Sequence, residues 1–199
     1  MSRPVSVRSI VLFWMPLAAT WLMMALEGPY VAAIVARMPE AARNLAALGV
    51  AVSLAWLIES PIMMLLSASA ALVRDRASYF ALRRFAHLLN ALVTLGMVLL
   101  VIPPLFTFVA ETVIGLPHDI ARLTHQAAAA MILWPAAIGY RRFYQGILVR
   151  HRLTRRVAYG TIVRLVTMSG TAALLAFVFA LPGALAGALA VLAGVVFEA

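Results

Sequence analysis

The chain has no cysteine and no lysine, and it is poor in charge of either sign. Without cysteine it can form no disulfide, no thiolate nucleophile and no Cys-based metal site. Acids are scarce: 7 Asp and Glu stand against 16 basic residues, every one of them arginine. There is no Gly-rich phosphate loop and no H-E-x-x-H. The 4 histidines, His87, His118, His125 and His151, lack metal-ligand spacing. No nucleophile or metal constellation of the kind an intramembrane enzyme needs is present. Catalysis, a metal and any other cofactor are therefore not expected.

What fills the chain instead is apolar sequence. Hydrophobic residues make up 65% of the 199 and charged residues 12%, against about 25% charged in a soluble domain. A net charge of +9 would suggest nucleic acid in a soluble protein. Here the arginines sit between apolar runs, where they set membrane topology, so membrane lipid and not nucleic acid is the expected partner.

A crossing helix needs about 20 apolar residues, and the placement of charges marks about six such runs. The first is 9–36, with Glu27 and Pro29 inside it. The second is 44–73, with Glu59 and Pro61. The third is 85–110, which should stop close to Pro103-Pro104. The fourth is 125–148, with Pro135. The fifth is 157–180 and the sixth 184–199, separated by a Leu181-Pro182-Gly183 turn. Proline removes a backbone hydrogen bond and clashes with the preceding turn, so kinks are expected at Pro29, Pro61 and Pro135. The 111–124 segment reads as a short surface helix starting near Pro117. Arg3 and Arg8 before an apolar stretch resemble a signal peptide, but no small-residue cleavage site follows and five more apolar runs do.

Arginine alternates in density from loop to loop. The N-terminus carries Arg3 and Arg8. The second loop carries Arg74, Arg76, Arg83 and Arg84 against Asp75. The fourth carries Arg141, Arg142, Arg150, Arg152, Arg155 and Arg156 with no acid. The first and third loops hold a near balance of charge, and the fifth has none. The positive-inside rule then places the N-terminus, the second and fourth loops and the C-terminus in the cytoplasm.

Charges inside the runs carry the most information, because an ionisable group in hydrocarbon is costly unless it faces a cavity or a partner. Glu27 and Glu59 are candidates to bind a coupling proton or cation, the bland alternative being an interhelical hydrogen bond from a protonated acid. Arg141 and Arg164 are candidates to line the path of an anion, since a guanidinium fork suits carboxylate and phosphate. The bland alternative is snorkelling to the headgroups. Arg142 ranks below Arg141, because neighbouring helix positions point about 100° apart and one of the two is expected to face the interior. Gly183 and Gly187, spaced as G-x-x-x-G, read as helix packing.

Taken in order, several blocks resemble one lobe of the multidrug/oligosaccharidyl-lipid/polysaccharide exporter superfamily, the MATE-like transporters, and look most like its progressive ankylosis branch. They are Phe13-Trp14-Met15-Pro16-Leu17 with Pro29 and Arg37; Asn44-Leu45-Ala46-Ala47-Leu48-Gly49-Val50-Ala51 with Ser53-Leu54 and Pro61; and Arg74-Asp75-Arg76. Pro135, Arg141, Gly146 and Leu148 follow, then Thr154 and Val163-Arg164-Leu165, and last Gly183-Ala184, Ala193-Gly194 and Glu198. The resemblance implies an exporter or antiporter with alternating access, two lobes around a central cleft and an anionic or amphipathic solute. Arg141 and Arg164 would face the cleft, and Arg74, Asp75 and Arg76 would form a charged cytoplasmic loop or gate.

The expected fold is thus an all-α integral membrane bundle of six transmembrane helices in a bacterial-type inner membrane, resembling one lobe of a MATE-like transporter. Such transporters usually have two lobes. Either a second lobe lies beyond this sequence, or a second copy supplies it as a homodimer. A lipid-linked sugar flippase is a close variant. A non-transporting membrane subunit or assembly factor is the rival of a different class.

Overall fold

A computed structural model describes residues 7–199. Arg3 lies outside the described residues. Among those residues the fold is all-helical, with no strand. Helix α1 is Val7–Val35 and stays helical through Pro16 and Pro29, so neither proline breaks it. Helix α2, Ala41–Glu59, passes through a tightened 3₁₀ stretch, Ser60–Met64, into α3, Leu65–Leu72. Pro61 opens that stretch, near a position where its missing N–H has no helical acceptor to lose.

The third run is shifted from its expected place at 85–110. Helix α4 is Arg76–Val101. It begins earlier because Asp75 and Ser78 form a reciprocal capping box. It ends earlier because Ile102 precedes Pro103 and takes ψ 123°, which a helix cannot use. A short helix α5, Pro103–Thr107, and a π-helical turn, Phe108–Val113, follow.

The expected fourth helix at 125–148 is two helices. Helix α6, His118–Ala130, and helix α7, Trp134–Arg150, are separated by a turn at residues 131–133. Pro135 takes the second position of α7, so it starts a helix where a kink within one was expected. In the 111–124 segment a helix does start next to Pro117, but it is α6, which runs on to Ala130 and buries Ala121, Thr124, Ala127 and Ala128 where a short surface helix was expected; residues 111–113 belong to the π-helical turn. Helices α8, Thr154–Phe177, and α9, Gly183–Glu198, complete the chain.

Among the described residues, four segments are long and apolar enough to cross a membrane: Ile10–Val35, Ala41–Leu72, Arg76–Val101 and Thr154–Phe177. Their outward faces are apolar. Trp14, Trp21 and Leu22 on α1, Trp56 and Leu57 on α2, Leu88 and Leu92 on α4 and Phe177 on α8 are all more than half exposed. A soluble monomer does not leave so continuous an apolar surface in water.

At the centre lies α9, which packs on α8, α6, α2, α7 and α1. Its buried positions are glycine or alanine apart from Val195. A methyl at Gly194 would come within 3.0 Å of Met168 Cβ and 3.1 Å of the Arg164 carbonyl, so glycine there sets how closely α8 and α9 approach. Gly183 and Gly187 face side chains of Val35 and Asn44, and of Leu48 and Val31.

The loops gather at two ends. At one, Arg43 pairs with Asp119 at 3.2 Å and the Ala184 N–H donates to Asn44 Oδ1 at 2.9 Å. At the other, Arg150 donates to the Ala70 carbonyl at 3.0 Å, joining the arginine-rich ends of α3 and α7. The tightest crossing is α3 on α7, where a methyl at Gly146 would collide with the Ser69 hydroxyl and the Leu66 carbonyl.

Two glycine substitutions should therefore behave oppositely. Gly146→Ala should cost about 1–3 kcal/mol through overpacking. Gly170→Ala meets nothing within 4 Å and should be neutral or stabilise by about 0.5–1 kcal/mol. Unfolding in detergent, followed by helical circular dichroism, compares the two; equal stability of both variants would contradict the close approach at Gly146.

Candidate functional site

The buried charges lie at one level of the bundle. Ten residues of α8 separate Thr154 from Arg164, a rise of about 15 Å from the arginine-rich end. Nine residues of α7 separate Arg141 from Arg150, a rise of about 14 Å. That is mid-depth in a hydrocarbon layer of about 30 Å. Three arginines, Arg141, Arg142 and Arg164, are buried there with three glutamates, Glu27, Glu59 and Glu198. Their formal charges cancel when all six are ionised.

Glu198 is the hub. Its side chain is 2% exposed. One carboxylate oxygen accepts from Arg141 Nη1 and, at 3.5 Å, from Arg164 Nη1. The other accepts from Gln145 Nε2 at 3.1 Å and Thr161 Oγ1 at 3.4 Å. The donors come in helical pairs: Arg141 and Gln145 are four apart on α7, and Thr161 and Arg164 three apart on α8, so each pair presents one face. Gly194, just before the final turn of α9, lets that turn close on α8.

Arg164 joins two acids. Its Nη2 donates to Glu27 on α1 while Nη1 faces Glu198. Its guanidinium also lies 5.8 Å from the ring centre of Trp134. The Trp134 indole N–H donates in turn to Glu59. Glu27 and Glu59 thus do not touch; they are connected through Trp134 and Arg164. The layer ties α1, α2, α7, α8 and α9 together.

Arg141 and Arg142 are both buried, at 3% and 5% exposure, although one alone was expected inside. Helix α7 has neighbours on several sides, namely α3, α4, α8 and α9, so the angular step between adjacent residues leads from one packed neighbour to another. Arg141 turns to Glu198. Arg142 lies 5.7 Å from the ring centre of Trp21 and makes no carboxylate pair among the described residues. The buried atoms of the layer left without a hydrogen bond are Glu27 Oε1 and the Nε groups of Arg141, Arg142 and Arg164. The site can therefore still accept one hydrogen bond and donate several, which suits a proton or a small oxyanion.

The other residues singled out in the sequence lie elsewhere. Arg74, Asp75 and Arg76 sit at the start of α4, remote from the layer along the chain axis. The Ser78 N–H donates to Asp75 Oδ1 at 2.8 Å, and the Asp75 N–H donates to Ser78 Oγ at 3.0 Å. This capping holds the Asp75 carboxyl below its usual range. His118 pairs with Glu111 at 2.8 Å, and His125 bonds the Val101 carbonyl at 2.7 Å. No group of three potential metal ligands forms among the described residues.

Glu198, Gln145, Thr161 and Trp134 were not singled out as site residues. Glu198 was visible as the one acid of the last apolar run, and the Arg141/Gln145 and Thr161/Arg164 spacings were the signal that a single acceptor lay opposite two helices. Comparison of the chain with protein-family models, with curated proteins and with solved structures found no match.

Removing the hub's charge should weaken the fold. Glu198→Gln leaves Arg141 buried without its counter-charge and should cost about 3–5 kcal/mol; adding Arg141→Gln to it should cost little more. A double-mutant cycle of detergent unfolding measures the coupling, and additive losses would separate the two residues. At the α4 cap the sign is set by a depressed folded pKa. The cap's contribution is complete above the unfolded carboxylate value and fades as pH falls through the folded one. Asp75→Asn should flatten the acid limb of stability, and an unchanged limb would remove Asp75 from it.

Proposed function

We propose that this chain is a multi-pass protein of a bacterial-type inner membrane that acts as one lobe of a secondary-active, exporter-like transporter for an anionic or amphipathic small solute. In this reading α1, α2 with α3, α4, α6 with α7, α8 and α9 make six passes. The loop contacts at the two ends of the bundle support that alternation. The arginine-rich end would face the cytoplasm, with the N-terminus and the end toward which α9 runs. The MATE-like resemblance of the sequence, and the progressive ankylosis branch within it, supplies the two-lobe alternating-access scheme. A second copy or a second lobe would complete the cleft.

The observation that carries the reading is the charge layer at mid-depth, with Arg142 lacking a carboxylate. Binding near the midplane is where rocking lobes expose a solute to either side in turn. Arg142 offers an anion its fork first. Arg141 and Arg164 are held by Glu198 and Glu27, and they become available when those acids take up protons. A proton on the glutamates and an anion on the arginines therefore belong to the same state of the site. That is a coupling rule for carriage in one direction: the solute's charge replaces the charge that the proton removes, so export would run down the solute's own outward gradient and take the proton with it. Glu59, held by Trp134 beside Arg164, would sense the same exchange.

A second reading, a non-transporting membrane subunit, draws on the same layer. Buried ion pairs that join α7 and α8 to α9, and α8 to α1, are also what a fastening between helices requires. The oligomeric state and a flux assay separate the two. Light scattering of the detergent-solubilised protein should give a dimer if two identical lobes enclose the cleft. In proteoliposomes, uptake of a test organic anion driven by a pH gradient should fall about ten-fold in Arg142→Gln, and Glu59→Gln should lose the dependence on the gradient. Flux unaltered by both changes would exclude the layer as the pathway and leave the subunit reading.

A further inference from the structure

A second polar feature lies outside the charge layer, on the opposite side of α7. Arg83, His87, Asn90 and Thr94 recur along α4 at helical spacing and share one face, amid a helix whose flanking Phe80, Leu88 and Leu92 are exposed and apolar. This face meets α7 across a cleft lined by Arg83, His87, Asn90, Gly139, Tyr140 and Tyr144. A methyl at Gly139 would collide with the Asn90 side chain, so glycine lets the two helices close at the cleft floor. There the Asn90 amide donates to the Ala136 carbonyl at 2.8 Å. The Tyr140 and Tyr144 rings pack at a tilt of 49° with centroids 4.5 Å apart and form one wall.

The mouth is built around one guanidinium. Arg83 Nε donates to His87 Nε2 at 3.3 Å, with this ring nitrogen as the acceptor. That bond fixes the plane of the guanidinium and uses only Nε. Arg83 makes no ion pair among the described residues, so its terminal N–H fork remains open. Such a fork matches two oxygens of a phosphate. Farther along the same face, the buried Asn90 Oδ1 and Thr94 Oγ1 have no hydrogen-bond partner. Arg83 is seven residues from the first residue of α4, a rise of about 10 Å from the arginine-rich end. That is within reach of the headgroup region for a long cationic side chain.

We propose that the mouth of the cleft between α4 and α7 binds a phosphate group through Arg83, and that the phosphate is the phosphodiester of an anionic phospholipid. His87 is the positioning residue. The tyrosine wall would flank the glycerol backbone, while the acyl chains lie along the apolar flank of α4. The lipid source rests on the membrane reading, whereas phosphate binding by the cleft does not.

Native mass spectrometry of the whole protein in detergent, titrated with short-chain phosphatidylglycerol, tests this. Arg83→Gln should lower lipid retention about ten-fold. Arg83→Lys, which keeps the charge and loses the fork, should fall between. Arg84→Gln removes the same charge from the exposed neighbouring position and should retain the lipid. Equal losses for Arg83→Gln and Arg84→Gln would reduce the effect to surface charge and overturn the site. Thermal stabilisation by inorganic phosphate at constant ionic strength, with the same Arg83 dependence, would assign the cleft to a free anion and overturn the lipid source. Binding of neither ligand would overturn both.

Discussion

The structure depends on how the carboxylate of Glu198 is neutralised. A charge in the middle of an apolar bundle is tolerable only if its counter-charges and hydrogen bonds are supplied by the protein itself. Four donors from α7 and α8 meet that demand at one residue of α9. To bring them there, α8 and α9 must approach to the distance that Gly194 allows, and α7 must turn its Arg141/Gln145 face inward. Once this is done, Arg164 is fixed in a position from which it also reaches Glu27 on α1. The placement of α1, which buries little of its own surface, then follows from one ion pair and its packing on α8.

This arrangement couples packing to chemistry in both directions. The small residues of α9 make room for the charge layer, and the charge layer fixes the register of the helices around α9. A change of charge state at Glu198 or Glu27 therefore acts on the contacts between helices as well as on a titrating atom. In the proposed transporter that is the physical link between ion binding and lobe movement.

The helical fold and four of the six expected apolar runs were legible in the sequence, because charge exclusion over about 20 residues has few other causes. Boundaries were less so. The start of α4 depended on a capping box inside an arginine-rich stretch, where charge suggested a loop. Pro135 was recognised as a disturbance, but a proline inside a run and a proline that opens a new helix look alike until tertiary packing decides between them. Among the site residues, Glu27, Glu59, Arg141 and Arg164 stood out because an intramembrane charge is conspicuous by itself. Glu198 and Trp134 did not, since an acid in the final turn and a tryptophan in an apolar run have ordinary explanations. Their roles arise from partners more than 30 residues away in the chain, which spacing along one helix cannot reveal. The second inside position of the Arg141-Arg142 pair was missed because one interior face was assumed for a helix that is surrounded on several sides.

Helix α9 has a further consequence that concerns disorder and not distance. Alanine and glycine have no side-chain rotamers to lose, whereas a leucine or methionine at the centre of a bundle surrenders a measurable share of its freedom. A central element whose buried stripe is made of such residues is ordered there at almost no side-chain entropic cost, so even modest dispersion contacts with five neighbours are retained as net stability. The same economy leaves that stripe little capacity to adapt, since its glycines and alanines cannot swing to fill a gap, and the leucines of α9, Leu185, Leu189 and Leu192, are only partly buried. Motion of the surrounding helices should therefore proceed as sliding over a smooth, stiff axis, with the repacking confined to the side chains of its neighbours.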